Sequence, residues 1–346
     1  MAAHPDFPWL DPADLDGLRG YLADRAWLQA REELRRCERA GDGNMNLTLR
    51  VHTNQRSFVL KQSRPWVEKY DEIAAPWDRT RVEQRFYERI AEVPSLRARM
   101  PELLASDPAA RVIVLEDLPD ASDLSTLYAA ASGAGIEAAE LDELARYLRS
   151  LHDAYADAPD ATLANREMRA LNHAHIFEVP LDPENGLDLD AFEAGLAAAA
   201  GGMIDDDEYR RLLKETGARY LEDGRHLVHG DFFPGSWLRS SRGLRVIDPE
   251  FCFFGDREVD LGCALAHLAL ARQGPALARR LLTTYAAERD PAYDPGWLAR
   301  YAAAEVMRRL IGVAQLPIPP TRGFRANLLA RSRRVMCDGK IDAFWE

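Results

Sequence analysis

Cysteine is scarce in this chain of 346 residues: Cys37, Cys252, Cys263 and Cys337 are the four, and no CxxC spacing links them. Neither a disulfide framework nor a thiolate metal site is expected, and the four read as thiols in a reducing compartment. Long apolar runs are missing too. The longest of helical pattern, Leu261 to Ala271, falls short of the roughly 20 residues that a bilayer demands. Basic residues are not in excess: 44 Lys and Arg stand against 56 Asp and Glu, a net charge of -12. Nonspecific nucleic-acid binding, which needs a basic face, is therefore not expected. Met1 to Pro8 lacks a basic start followed by an apolar core. No signal peptide is expected, and the expected compartment is the cytoplasm. No internal repeat is visible.

What is present is an ordinary globular composition, 47% hydrophobic and 29% charged, in a chain long enough for two lobes. One stretch organises the rest: His229-Gly230-Asp231-Phe232-Phe233-Pro234-Gly235-Ser236, followed by Val246-Ile247-Asp248-Pro249-Glu250. Apolar runs of strand length (Leu227-Val228, Trp237-Leu238, Leu244 to Ile247) separate the polar groups, which predicts a small hairpin with acids at its ends. Such an arrangement suits phosphoryl transfer to a hydroxyl. One Asp accepts the hydroxyl proton while other carboxylates hold Mg²⁺ on nucleotide phosphates. Asp231 fits the first role, and Asp248 with Glu250 the second, since extended backbone would put both on one side. Taken singly, His-Gly-Asp is a common turn and Asp-Pro-Glu a loop signature. Their order and spacing favour the functional reading. No G-x-S-x-G elbow surrounds Ser236, so a serine hydrolase is disfavoured.

Taken in order, Leu10, Leu15, Leu18, Leu22, Trp27, Leu28 and Leu34 predict helix over residues 9–40, with Asp14 as a cap. Gly41-Asp42-Gly43-Asn44-Met45-Asn46 then opens a strand in which Met45, Leu47, Leu49 and Val51 alternate with polar residues, and Ser57 to Gln62 completes a hairpin. Glycines at its entrance let backbone amides approach a phosphate. Lys61 lies in an otherwise apolar strand, where burial is costly without a partner such as a nucleotide phosphate; the alternative is an edge lysine facing water. Val82, Phe86 and Ile90 predict a helix over residues 79–91. Glu83 beside that stripe is the candidate partner of Lys61, with Glu88 as the alternative. Val112 to Leu115 reads as a doubly buried strand. In a two-lobed kinase, backbone groups from Glu116 to Leu118 would meet the adenine edge.

Ala129 to Ala139 is a small-residue linker. The stripe from Leu141 to Tyr155 predicts a helix with His152 as a core histidine. His173-Ala174-His175 is a weak metal signal, and Asp205 to Asp207 a helix cap before residues 208–220. Asp260, near the start of a helix over residues 256–271, is placed to brace the catalytic loop. A last helix over residues 301–316 carries Arg308-Arg309. Adjacent arginines point about 100° apart, so at most one is expected to face a pocket, and a solvated pair is the alternative.

These residues together resemble the aminoglycoside phosphotransferase and choline kinase group, and within it the 5-methylthioribose kinases. The resemblance is carried by Gly41 to Leu47, Leu60-Lys61-Gln62, Glu116-Asp117-Leu118, His229-Gly230-Asp231, Gly235-Ser236, Val246 to Phe251 and Arg308 to Gly312. It implies an α+β, two-lobed protein-kinase-like fold, with a small β-rich ATP-binding lobe over residues 1–118 and a larger, mostly helical catalytic and substrate-binding lobe over residues 119–346. It further implies ATP and Mg²⁺ as cofactors and a small-molecule hydroxyl acceptor, 5-methylthioribose or a related sugar before an aminoglycoside or amino alcohol. A catalytically silent nucleotide-binding protein is the other alternative. A homodimer is also implied. By the same resemblance Asp231 is the base, and Asp248, Glu250 and, weakly, Ser236 hold the metal. Gly41, Asp42, Gly43, Asn44, Asn46, Lys61, Glu83, Glu116 and Leu118 serve the nucleotide. Arg308, Arg309 and Phe233 face the acceptor or the transferred phosphate. Phe232-Phe233-Pro234 departs from the Leu-His-Thr usual in that family, and those positions border the acceptor site.

Overall fold

Alternation of apolar and polar side chains sets the N-terminal part of the chain. In the computed structural model, which describes residues 4–41, 45–129 and 135–346, contacts divide the chain after Asp120 into two units. The first runs α1 (Leu15–Asp24), β1 (Leu34–Arg39), β2 (Leu47–Thr53), β3 (Ser57–Gln62), the short pair β4 (Trp66–Val67) and β5 (Tyr70–Ala74), α2 (Arg79–Ile90), α3 (Pro94–Arg97), β6 (Leu103–Asp107) and β7 (Val112–Glu116). Its antiparallel sheet has the order β1-β2-β3-β7-β6. Leu47, Leu49 and Val51 of β2, Phe58 and Leu60 of β3 and Val112 and Val114 of β7 pack under Leu18 and Leu22 of α1. Full burial of one such side chain is worth about 2 kcal/mol. The pleat sends their neighbours, Lys61 among them, to the opposite face.

Helix was expected over residues 9–40; α1 ends at Asp24, and Leu34–Arg39 is a strand. Left-handed backbone at Ala26 and Arg31 breaks the helix. Beyond it, the charged run at positions 35–39 forms a sheet edge, a place where charged side chains are common. Asp14 caps α1 by accepting the amide of Gly17 at 2.8 Å.

The second unit runs β8 (Ser122–Asp123), α4 (Thr126–Ala129), α5 (Ala138–Ala154), α6 (Arg166–His173), α7 (Leu189–Phe192), α8 (Leu196–Ile204), α9 (Asp207–Tyr220), β9 (His226–Val228), β10 (Trp237–Ser240), β11 (Gly243–Val246), β12 (Phe253–Gly255), α10 (Glu258–Leu270), α11 (Pro275–Tyr285), α12 (Pro295–Ile311) and α13 (Phe324–Asp338). Every residue of α10 is buried, so this helix is the spine of the unit. Gly262 lets α12 close on it: a Cβ there would stand 2.9 Å from Cβ of Tyr301. The expected hairpin is β10–β11, extended by β8, while β12 pairs with β9. The loops β9–β10 and β11–β12 thus leave two small ladders close in sequence. Helix α12 starts earlier than expected, at Pro295 behind an Asp294 cap, and ends before Gly312. Asp206 caps α9, as expected of that acidic run. Among the described residues the four cysteines are free, and no helix is long and apolar enough to cross a membrane.

Candidate active site

The loop His229-Gly230-Asp231 is held by one buried carboxylate. Asp260, in the first turn of α10, accepts the amides of His229 at 2.7 Å and Gly230 at 2.9 Å, and His152 Nε2 stands 3.0 Å from the same group. His152 is completed by the Tyr285 hydroxyl at 2.9 Å, so it is the satisfied core histidine that the sequence suggested. His229 donates through Nε2 to the carbonyl of Ile247 at 3.0 Å, and its Nδ1 faces the Asp231 amide at 3.4 Å. Burial lowers its pKa and keeps the ring neutral, as that tautomer requires. Gly230 has φ 83°, and a Cβ there would lie 2.1 Å from the carbonyl oxygen of Phe251. The two acid-bearing loops are therefore in direct backbone contact.

The second loop departs from the expectation of extended backbone. Asp248 is left-handed, with φ 64° and ψ 54°, and Pro249–Phe251 forms a single 3₁₀ turn. Alternation along a strand thus does not relate Asp248 to Glu250. Aspartate is among the residues that tolerate this region. Asn165 clamps the turn, donating to the carbonyls of Glu250 at 2.8 Å and Cys252 at 2.9 Å. Ser236 is buried and donates its hydroxyl to the Asp231 carbonyl at 3.0 Å, so only its lone pairs remain for a cation.

Both arginines turn inward, against the expectation that one at most would. Each is 6% exposed, and their Nη2 atoms lie 3.4 Å (Arg308) and 3.2 Å (Arg309) from Asp231 Oδ1. The reason lies one turn back. Glu305 is three residues before Arg308 and four before Arg309, and both spacings place side chains on one helix face. Arg309 Nε donates to Glu305 Oε1 at 2.7 Å. Arg308 Nε is 3.2 Å from Oε2, an ion-pair distance off the line of a hydrogen bond, while its Nη1 donates to Asn172 at 2.7 Å. The Arg309 guanidinium also covers the Phe233 ring, 4.7 Å from its centroid. Phe232, by contrast, is core, stacked on Tyr147.

Behind Glu305 stands His267, 3.0 Å away through Nε2, with Nδ1 2.5 Å from the Tyr128 hydroxyl. Burial is the main cause that brings the His267 pKa to about 4, so the ring is neutral. Burial alone would raise the Glu305 carboxyl; the charges of Arg308 and Arg309 and the His267 hydrogen bond outweigh it and hold the group ionised. Cys263, His267 and Glu305 have ligand atoms within 4.8 Å of one another. The carboxylate already faces two guanidiniums, both imidazole nitrogens are bonded, and burial holds the thiol protonated. This is a hydrogen-bonded knot, unsuited to a cation. His173 and His175 lie in α6 and the turn after it, with burial lowering the pKa of each.

Within the N-terminal unit, Lys61 donates to Glu83 Oε1 at 2.8 Å, with the lysine 7% and the glutamate 0% exposed. Glu83, not Glu88, is thus the partner, and the lysine does not face water. Gly41 is left-handed at φ 69°; Asp42, Gly43 and Asn44 lie outside the described residues. Asn46 is buried and accepts from Arg79 Nε at 2.7 Å. Arg79 also donates to the carbonyls of Arg64 and Pro76 at 2.7 Å, so Asn46 and the segment after β3 are both tied to the start of α2. Glu116 donates its amide to the Glu102 carbonyl at 2.8 Å, Asp117 accepts from Arg50 at 3.0 Å, and Leu118 is buried.

Sequence reasoning missed Arg79, Tyr128, Asn165, Asn172, His267 and Glu305. A signal existed for Glu305 alone, in the Glu-x-x-Arg-Arg spacing; the rest act through long-range contacts that no local pattern marks.

The methylthioribose kinase of Exiguobacterium sibiricum is 29% identical over 251 residues, covering 68% of this chain and 61% of the relative. That of Bacillus velezensis is 29% identical over 282 residues, covering 75% and 64%. The chain thus spans less than two thirds of the length of these curated relatives. Among solved structures, choline kinase LicA from Streptococcus pneumoniae matches with TM-score 0.52 and 13% identity over 93% of this chain and 98% of that one. A choline kinase from Cryptosporidium parvum matches with TM-score 0.53 and 11% identity over 94% and 97%. These likenesses establish the α+β kinase-like fold, with its β-rich N-terminal part and helical C-terminal part. With a family model aligned from residue 36 to residue 301, spanning the strand lysine, both acidic loops and the start of α12, the chain belongs to the phosphotransferase enzyme family.

Proposed function

We propose that this protein transfers the γ-phosphoryl group of ATP to a hydroxyl of a small polar molecule, 5-methylthioribose or a related sugar. The observation that carries this is the Asp231 carboxylate, set on a loop braced by Asp260 and met by two guanidiniums at 3.2 and 3.4 Å. Asp231 accepts the proton of the attacking hydroxyl, and Arg308 and Arg309 offset charge developing on the phosphoryl oxygens. Asp248 and Glu250, two hard oxygen donors, fit a hard divalent cation, and we assign Mg²⁺ to them with Ser236 as a minor neutral donor. When bound there, the ion neutralises phosphate charge. Lys61, oriented by Glu83, contacts the nucleotide phosphates beside the Gly41 to Asn46 loop, and backbone groups from Glu116 to Leu118 take the adenine. Phe233 borders the acceptor.

The relatives' name supports the sugar. So does the charge inventory: Asp231 and Glu305 are already matched by two arginines, and Arg309 covers the Phe233 ring. A cationic acceptor would find neither a spare acid nor an open aromatic face among these groups. On the same reading the protein works in the cytoplasm, on a small molecule rather than nucleic acid, and as a homodimer.

The test is ADP release from Mg·ATP over a panel of 5-methylthioribose, ribose, choline, homoserine and aminoglycosides. Turnover with the sugar alone supports the reading. Turnover with choline or an aminoglycoside instead would replace the acceptor, and Mg·ATP binding without ADP release would make the protein a nucleotide-binding one without turnover.

A further inference from the structure

Arg308 and Arg309 reach Asp231 from adjacent positions on one helix, where side chains ordinarily diverge by about 100°. Something must draw them together, and a buried anion one turn away does. Glu305 is 5% exposed, and it takes Nε of Arg309 in a hydrogen bond and Nε of Arg308 in an ion pair, at 2.7 and 3.2 Å. Each guanidinium is left with Nη2 directed at Asp231 Oδ1. The carboxylate itself is fixed from behind. The ionised carboxylate can only accept, so His267 donates to it through Nε2 at 3.0 Å, and Nδ1 of the neutral ring then accepts from the Tyr128 O–H at 2.5 Å. The relay in which Tyr128 donates to His267 and His267 to the Glu305 carboxylate therefore has one consistent proton arrangement, and it joins α4, α10 and α12.

We propose that Glu305 is a positioning residue for the phosphoryl-transfer site: it holds Arg308 and Arg309 in the paired orientation that the transferred group meets, and Tyr128 and His267 hold Glu305. This rests on the function proposed above. Glu305 meets the arginines through Nε, whereas the Nη2 atoms serve Asp231, so it acts through them. Two rigid guanidiniums on one oxygen also keep the Asp231 carboxylate in a single rotamer until a phosphate competes for them.

The experiment compares wild type with Glu305→Gln, His267→Gln, Arg308→Gln/Arg309→Gln and the triple variant joining Glu305→Gln to that pair. Steady-state ADP release and Nε–H signals in ¹⁵N NMR are both read. Released arginines displaced by about 1 Å cost on the order of 10²-fold in kcat. Glu305→Gln should therefore lose tenfold to a hundredfold in kcat, as estimated from that displacement, with KM for Mg·ATP little changed and the Arg309 Nε–H signal broadened by water exchange. His267→Gln, which keeps a donor toward Glu305, should lose less. The triple variant should be no slower than the arginine pair, because the glutamate then has nothing to position. The triple variant removes the buried glutamate charge together with both arginines, and His267→Gln leaves all three charges in place, so these two keep the proposal testable by kcat and Nε–H exchange if Glu305→Gln or the arginine pair fails to fold. Equal loss from Glu305→Gln with and without the arginines, or unchanged Nε–H exchange, would overturn the proposal. Failure of the functional reading shows differently: wild type would release no ADP with any acceptor, while the NMR comparison would still decide the positioning role.

Discussion

Replacing Gly230 by alanine puts a methyl group 2.1 Å from the Phe251 carbonyl oxygen, at a residue with φ 83°. The left-handed conformation alone costs a non-glycine residue about 1–2 kcal/mol. The clash is the larger matter, because the atom met is backbone and cannot rotate away. Restoring ordinary contact requires the Asp231 loop and the Pro249–Phe251 turn to separate by roughly 1 Å, a displacement that can cost on the order of 10² in rate. Neither carboxylate is touched chemically. Gly230→Ala should then lose about 2–4 kcal/mol of stability in urea unfolding, the strain plus part of the clash. At a temperature where it is fully folded, its kcat should fall about a hundredfold. A folded variant with wild-type kcat would refute the argument that the contact of these two loops sets the spacing of the acids.

Asp260→Ala leaves the amides of His229 and Gly230 without their acceptor; at about 1–3 kcal/mol for each orphaned donor, unfolding should show a loss of roughly 2–6 kcal/mol, and a loss below about 1 would contradict the bracing role. Lys61→Met takes the ammonium away from a fully buried Glu83 and should destabilise by about 3 kcal/mol. Joining Glu83→Leu to it should restore most of that stability without restoring turnover; restored turnover would remove the pair from the nucleotide site. His267 has a native pKa of about 4 against an ordinary 6.5. Between those values the unfolded chain binds the proton and the native one does not, so stability falls as pH drops from 6.5 toward 4, by at most about 3 kcal/mol from this group. His226 and His229 are shifted in the same direction, so the measurement is the difference between wild type and His267→Gln, whose stability should fall less steeply over that window.

Much of this was legible in the chain because it is local. The alternation in Leu47 to Val51 needed no tertiary information, and neither did the Phe86 stripe of α2 or the order of the acidic motifs. Misreadings came where tertiary context overrides pattern. Trp27 and Leu34, seven apart, sustain a helical spacing, yet left-handed turns at Ala26 and Arg31 redirect the chain into an edge strand. Asp-Pro-Glu was read as extended, but proline opens a 3₁₀ turn there and Asn165, far away in sequence, clamps it. The arginine pair was read through helix geometry alone; the buried anion that both spacings share settles its orientation.

The central claim is that Asp231 takes the proton of the acceptor hydroxyl, and the measurement that tests it most directly is ADP release by Asp231→Asn beside wild type, with 5-methylthioribose as acceptor and Mg·ATP binding measured in parallel. The account predicts turnover reduced by about 10² to 10⁴ with nucleotide binding largely retained. Near-normal turnover in the asparagine variant would contradict it.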